Sequence, residues 1–357
     1  SAILEVKMPS EELIISELSY SAPLISNIRQ ILTGLQGFVS MAREIIQNAD
    51  DAGANIVQFN IRDDALIIKN DAEFLNCGLS SDECPWAITG DLQLGKRKAC
   101  DFHAISKVGS GNKYNQPGLI GRFGIGFVSV YQLTDQPIIR SGEVELMLNP
   151  LLEKNQIRKV DNADGTEIQI NWALDDRSPI RDALNASAFS LNNLESLQAD
   201  LVTTAEDCLL FLKNLKSIEI LRNGKRVSFV NKTIDDEKNL DLFLERKNKL
   251  EKWYVVHLDA KDEASSLKEK FAAIEKLDRQ SAMQIAFRLD GKSEAPGRLF
   301  AYLPTEQSSP LPCHINADFF PEQTRKSLVL SGEQHERYWN EMLLNFAAQE
   351  IAKRLED

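Results

Sequence analysis

The stretch REIIQNADDAG (43–53) carries three polar groups at helical spacing. Glu44, Asn48 and Asp51 stand at i, i+4 and i+7, so a helix sets them on one face. Ile45, Ile46, Ala49 and Ala52 can then meet a core. A carboxylate can take a proton from water, and an amide oxygen one turn on can hold a hard cation. By itself the same stripe also reads as a solvated helix face. Asp71 ends the run IIKNDA, where a carboxylate can accept from an exocyclic amine or simply serve a turn. GLIGRFGIGF places Gly118, Gly121, Gly124 and Gly126 just ahead of a helix. Glycines there let backbone amides approach an anion, and a helix N-terminus favours negative charge. Thr166, in DGTEIQI, starts a strand with a hydroxyl that can serve an Asp or a water. No G-x4-G-K-[ST] loop occurs, nor a G-x-G-x-x-G after a strand.

Regular elements must hold these groups in place. The apolar period predicts helices over 24–34 and 40–52 and short strands over 55–61 and 65–70. Residues 75–120 have weak periodicity and many polar and small residues, the pattern of a functional loop or lid. Trp86 is expected to anchor it. A helix is expected over 124–133 and strands near 137–141, 144–148 and 166–171. AEDCLLFLKN (205–214) reads as a short apolar helix, and Asn223-Gly224 as a hairpin turn. The second half brings a polar stretch (231–252), the strand WYVVHL, a charged helix (264–277) and two strands, AMQIAFRL and GRLFAYL. An amphipathic helix (333–355) closes it. A domain boundary is expected between 215 and 235.

With 357 residues, two domains are the natural expectation. The net charge of -12 argues against a nucleic-acid surface as the main business of the chain. No apolar run approaches the roughly 18 residues that a membrane span requires. Cys77, Cys84, Cys100, Cys208 and Cys313 have irregular spacing that fits neither a disulfide framework nor a C-x2-C zinc pattern. Free thiols point to a reducing cytoplasm. His103, His257, His314 and His335 are scattered and suggest no metal pattern, and Cys313-His314 reads as a packed strand pair.

The order of these pieces resembles the GHKL ATPases of the sacsin and heat-shock chaperone type. EIIQNADDAGA, then NDAEF, then GLIGRFGIGFVSVYQLTDQPIIRSGE carry the resemblance, with AISKVGSGNK (104–113) in the lid. GRLFAYLPTEQSSPLPCHINADFF and RYWNEMLLNFAAQEIAKRL extend it more loosely. The resemblance implies an α+β fold, a two-layer α/β sandwich (the Bergerat fold) with a second, smaller α/β domain. It implies an ATP-binding domain over 1–225, with its lid at about 75–120, and a transducer-like α/β domain over 226–357.

By the same resemblance Glu44 would be the general base and Asn48 would hold Mg2+. Asp71 would read adenine, Asp51 would line the pocket and Thr166 would support the Asp71 water network. Gly121, Arg122, Phe123, Gly124, Ile125, Gly126 and Phe127 would cradle the phosphates, with Lys107 reaching them from the lid. Arg325 or Lys326, in PEQTRKSL, would approach the γ-phosphate from the second domain. The sequence departs from the family where Asp71-Ala72-Glu73 replaces Asp-x-Gly, at the position that would contact adenine. The activity implied is slow, Mg2+-dependent ATP hydrolysis that drives lid closure and domain docking on a protein client, with an ATP-dependent homodimer as one form. An ATP-gated nucleic-acid clamp or topoisomerase-like subunit of a repair or defence system is the alternative. A histidine kinase is disfavoured because no histidine precedes His103, and the intact Glu44 argues against a binding-only module.

Overall fold

A computed structural model of the chain describes residues 24–35, 37–82, 84–86, 100–106, 125–152, 154–276, 279–290, 296–309, 311–322, 326–332 and 334–355. Helices α1 (Leu24–Gly34) and α2 (Val39–Asp51) come first. Met41, Ala42, Ile45, Ile46 and Ala49 of α2 are buried. Large apolar side chains placed so each contribute about 1.5–3 kcal/mol. Asp200 of helix α6 (Leu194–Cys208) fixes the entry to α2, its Oδ2 accepting from Phe38 N at 2.8 Å. Asp50 fixes the exit. Its carboxylate accepts from the backbone N–H groups of Lys213, Asn214 and Leu215 at 3.1, 2.7 and 2.9 Å. The catalytic candidates of α2 therefore sit on a helix clamped at both ends.

The described strands form one twelve-stranded sheet, β11-β10-β12-β9-β8-β7-β6-β5-β1-β2-β4-β3. Its first four strands in chain order are β1 (Ile56–Ile61), β2 (Ala65–Asn70), β3 (Ile138–Met147) and β4 (Gln156–Asn171). Then come β5 (Ser217–Arg222), β6 (Lys225–Ile234), β7 (Asn239–Leu244) and β8 (Lys249–Asp259). Last are β9 (Ala282–Arg288), β10 (Gly297–Ala301), β11 (Leu303–Ser309) and β12 (Cys313–Ala317). β1 runs parallel to β5, and β10 to β12; the other pairs are antiparallel. The α+β class expected from the sequence holds. Short helices α3 (Asp101–Ser106), α4 (Ile125–Val128) and α5 (Pro179–Leu184) complete the first half.

Two hydrophobic cores lie along this sheet. The first joins α2 and α6 to β1, β2, β4 and β5, and it extends through Val230, Leu242, Leu244, Trp253 and Val255 to Phe300 and Leu303. The second packs α7 (Lys261–Lys270), α8 (Ala272–Lys276) and α9 (His335–Leu355) on β9, β10 and β12. Trp339, Leu343, Ala347 and Ile351 of α9 are buried at a spacing of four, the stripe of one helical face. Trp339 also donates from its indole N–H to Asp318 O at 2.9 Å. A boundary at 225/226 falls inside the β5–β6 hairpin, where Arg222 pairs with Lys225, and the residues of the second core begin at Ala260.

Two local expectations are corrected. The strands expected at 137–141 and 144–148 are one strand, β3, with a register shift at Gly142, which adopts φ +54°. A bulge there interrupts the alternation that a sequence reading follows. The helix expected at 205–214 is the end of α6 followed by a 3-10 turn, Leu209–Phe211. The apolar run LLFL drew the expectation toward it, while the helical period lies upstream at Leu194, Leu197, Leu201, Ala205 and Cys208.

Candidate functional site

The face of α2 carrying Glu44, Asn48 and Asp51 runs from interior to solvent. Glu44 is buried, Asn48 is half-buried and Asp51 is exposed. The buried Oδ1 of Asn48 has no hydrogen-bond partner among the described residues. An orphaned amide oxygen in the interior costs free energy unless something supplies a positive partner. A hard cation fits that requirement, since carbonyl oxygen is the donor type Mg2+ takes. The solvated-face reading fails for Glu44 and for the Asn48 oxygen, and it remains apt for Asp51.

Helix α4 packs on α2. It begins at Ile125 and Gly126 and passes into a 3-10 turn, Ser129–Gln132. Phe127 is 1% exposed and belongs to the first core. Its side chain is therefore packing. Lys107, Gly121, Arg122, Phe123, Gly124 and Arg325 lie outside the described residues.

At the far end of β2 the register sets three residues in a row across neighbouring strands: Asn70 on β2, Thr166 on β4 and Ser141 on β3. Their in-strand neighbours two residues away, Ile68, Ile168 and Ile139, belong to the first core. Side chains two apart share a sheet face, so this row continues the core face that the helices cover. Thr166 is 1% exposed; its Oγ1 donates to Ala72 O at 2.7 Å and meets Ser141 Oγ at 2.8 Å. Ser141 Oγ also accepts from Phe74 N at 2.8 Å, and Asn70 Oδ1 accepts from Ala72 N at 3.0 Å. Gly165 makes the corner possible. A Cβ there would stand 2.1 Å from Asn70 O, and its φ is +75°.

Asp71, one residue past the end of β2, turns its carboxylate to the start of β1 instead. Its Oδ1 accepts from the N–H groups of Asn55 and Ile56 at 2.7 and 3.0 Å, and its Oδ2 accepts from Asn55 Nδ2 at 3.0 Å. Burial opposes its ionisation, but the hydrogen bonds from Ile56 and Asn55 outweigh burial and hold its pKa below the ordinary value. The structure thus engages Asp71 at the start of β1 and does not bring it to the row shared by Thr166. Sequence reasoning passed over Asn70 and Ser141. Strand alternation from Ile68 to Asn70 was the signal for the first, but Ser141 was hidden by the bulge at Gly142.

A second cluster was also missed. Cys77, Cys84, Cys100 and His103 bring one ligand atom each to within 4.8 Å of one another. Burial pushes the Cys100 thiol up to about 12. The spacing Cys100-x2-His103, one helical turn, was the only local hint.

Residues 21–182 match the family described as the Sacsin domain. Sacsin of Homo sapiens is 32% identical over 154 residues, which is 42% of this chain and 3% of that protein. The chain therefore spans a small fraction of the relative it matches. Among solved structures, the chain is similar to the N-terminal domain of a DNA repair protein, with 10% identity, a TM-score of 0.41, and 93% of this chain and 98% of that one covered. It is also similar to the ATPase domain of the Aquifex aeolicus mismatch repair endonuclease MutL, with 11% identity, a TM-score of 0.38, and 86% and 96% covered.

Proposed function

Starting from the match of residues 21–182 to the Sacsin domain, we propose that this chain binds ATP with Mg2+ at the face of α2 that carries Glu44 and Asn48 and hydrolyses it slowly as a GHKL-type ATPase. The observation that carries the reading is the buried Asn48 oxygen, without a hydrogen-bond partner among the described residues, one turn from buried Glu44. Asn48 would hold the metal, and Glu44 would take a proton from the attacking water. When bound, Mg2+ would neutralise phosphate charge, the main demand of phosphoryl transfer. The backbone that starts α4 at Ile125 and Gly126 would face the phosphates. Clamping of α2 by Asp200 and Asp50 keeps Glu44 and Asn48 in fixed relation, and position is what such chemistry needs most.

For the base we favour Asn70 with Thr166 over Asp71. An amide can both accept from and donate to an adenine edge, and Asn70 lies on the core face with Thr166. Asp71 would have to release Asn55 and Ile56 to take that role. The use of the ATP cycle on a protein client, in an ATP-dependent dimer of a cytoplasmic protein, completes the proposal. No described helix is long and apolar enough to cross a membrane.

Calorimetry and phosphate release test the reading. Glu44→Ala should keep ATP–Mg2+ binding and lose turnover by about 100-fold or more. Normal hydrolysis in that variant would remove Glu44 from the mechanism. Asn70→Ala should weaken ATP binding at least tenfold, about 1.4 kcal/mol, whereas Asp71→Asn should lower the melting temperature more than the affinity. The reverse pattern would restore Asp71 as the base contact. Duplex DNA should leave turnover unchanged across a salt series.

A further inference from the structure

Cys77, Cys84, Cys100 and His103 stand outside the proposed nucleotide site, and we propose that they form a structural zinc site. His103 Nδ1 lies 3.1 Å from Cys100 Sγ and 3.5 Å from Cys77 Sγ. Cys84 Sγ accepts from the backbone N–H of Cys100 at 3.2 Å. A tetrahedral Zn2+ with Zn–S near 2.3 Å and Zn–N near 2.0–2.1 Å has edges of about 3.5–3.8 Å. The spacings in the cluster approach those edges.

The orientation of the imidazole supports a cation. His103 Nε2 lies 3.0 Å from Ser81 O. A carbonyl can only accept, so the proton belongs on Nε2 and the Nδ1 lone pair faces the sulfurs. Cys100 Sγ and Cys77 Sγ both lie within reach of that lone pair. A metal ion collects Nδ1 and all three thiolates at once. The Nε2–H···O=C bond is the outer contact that fixes a ligating histidine.

Donor softness selects the ion. Three thiolates and an imidazole suit Zn2+ and exclude Mg2+ and Ca2+, which take oxygen. Four protein ligands close the coordination sphere, so the site would be structural and not catalytic. Cys84, Cys100 and His103 are buried and Cys77 half-buried, so the ion would be shielded. None of these cysteines is in a disulfide.

The site joins the segment that follows β2 to helix α3. The same junction is held by Leu75 N donating to Asp101 Oδ2 at 2.8 Å, by Asp101 N donating to Leu75 O at 3.1 Å, and by the edge contact of Phe74 with Phe102. Zinc would fasten the two ends of the chain between Cys84 and Cys100, and would fix α3 where the sequence passes on to Lys107.

Elemental analysis of the untagged chain, purified under reducing conditions without nucleotide, tests this. The expected result is one zinc per chain, released when a mercurial blocks the thiols. Co2+ in its place should give intense tetrahedral d–d and thiolate charge-transfer bands. Cys77→Ser and His103→Gln should lose the metal and those bands, while Cys208→Ser and Cys313→Ser keep both. Should the ligand variants fail to fold, the mercurial release from the unmodified chain decides alone. A folded chain that holds no zinc, takes Co2+ only with a weak octahedral spectrum, or shows a disulfide among Cys77, Cys84 and Cys100 would overturn the proposal. None of these measurements depends on ATP.

Discussion

The candidate site depends on a few residues whose neighbours leave them little choice. Gly165 is one. A side chain there meets Asn70 O at 2.1 Å on a backbone of φ +75°, so Gly165→Ala should cost at least ~2 kcal/mol and disturb the Asn70–Thr166 row. Denaturant unfolding measures the cost; a loss under 0.5 kcal/mol, roughly the scale of a surface change, would show that the corner yields. Single residues were also where the sequence was hardest to read. The shared face of Glu44 and Asn48 followed from helical spacing, because spacing is local; the roles proposed for them rest on the family resemblance. The distinction between Asp50 and Asp51, or between Asn70 and Asp71, depends on which face a neighbouring element covers. A one-residue step reverses the face of a strand, and nothing in NDA alone shows which residue turns inward.

Elements add constraints that single residues do not reveal. His314 on β12 lies between the Trp253 and Phe300 rings, with centroid distances of 5.0 and 5.3 Å, and its Nδ1 accepts from Arg298 N at 3.0 Å. Burial, then the Arg298 charge, lowers its pKa to about 4 from an ordinary 6.5. Between those values the unfolded chain binds the extra proton, so stability rises with pH across the window. The contribution is complete above 6.5 and is lost as pH falls through about 4, amounting to about 3 kcal/mol. His314→Asn keeps an acceptor and cannot titrate. Its unfolding free energy should vary less between pH 4 and 6.5 than that of the unaltered chain, and equal slopes would refute the assignment. The sequence reading of Cys313-His314 as a packed pair agrees with this strand. The Cys/His cluster was less legible, because Cys77 and Cys84 stand far in sequence from Cys100 and His103.

At the scale of the whole molecule, most of the helices and strands were legible, but their joining was not. Hydrophobic period locates an element and is silent on its partners across long sequence separations. The polar stretch 231–252 masked β7 and the first four residues of β8, because charged residues alternate with Leu242 and Leu244, which belong to the first core. We propose that the first structural unit therefore ends well beyond 225. A chain cut at 225 leaves β5 without β6 and uncovers the core that β7 and β8 complete, so it should be insoluble or molten by near-ultraviolet circular dichroism. A native-like spectrum from that fragment would place the boundary back at 225. Trp339→Ala, in the second core, should cost about 3–5 kcal/mol, read by calorimetric unfolding.

The unbroken sheet also limits how the molecule can move. β6 to β9 are joined by successive antiparallel ladders, with five, six and seven registered pairs from β6–β7 to β8–β9. Swinging the α9 half away from the α2 half as a free lever would tear one of those ladders, leaving rows of backbone donors and acceptors unmet. Coiling of the ribbon keeps every rung intact. Torsion along that shared spine is therefore a route by which a signal can pass between the Glu44 helix and the Trp339 helix.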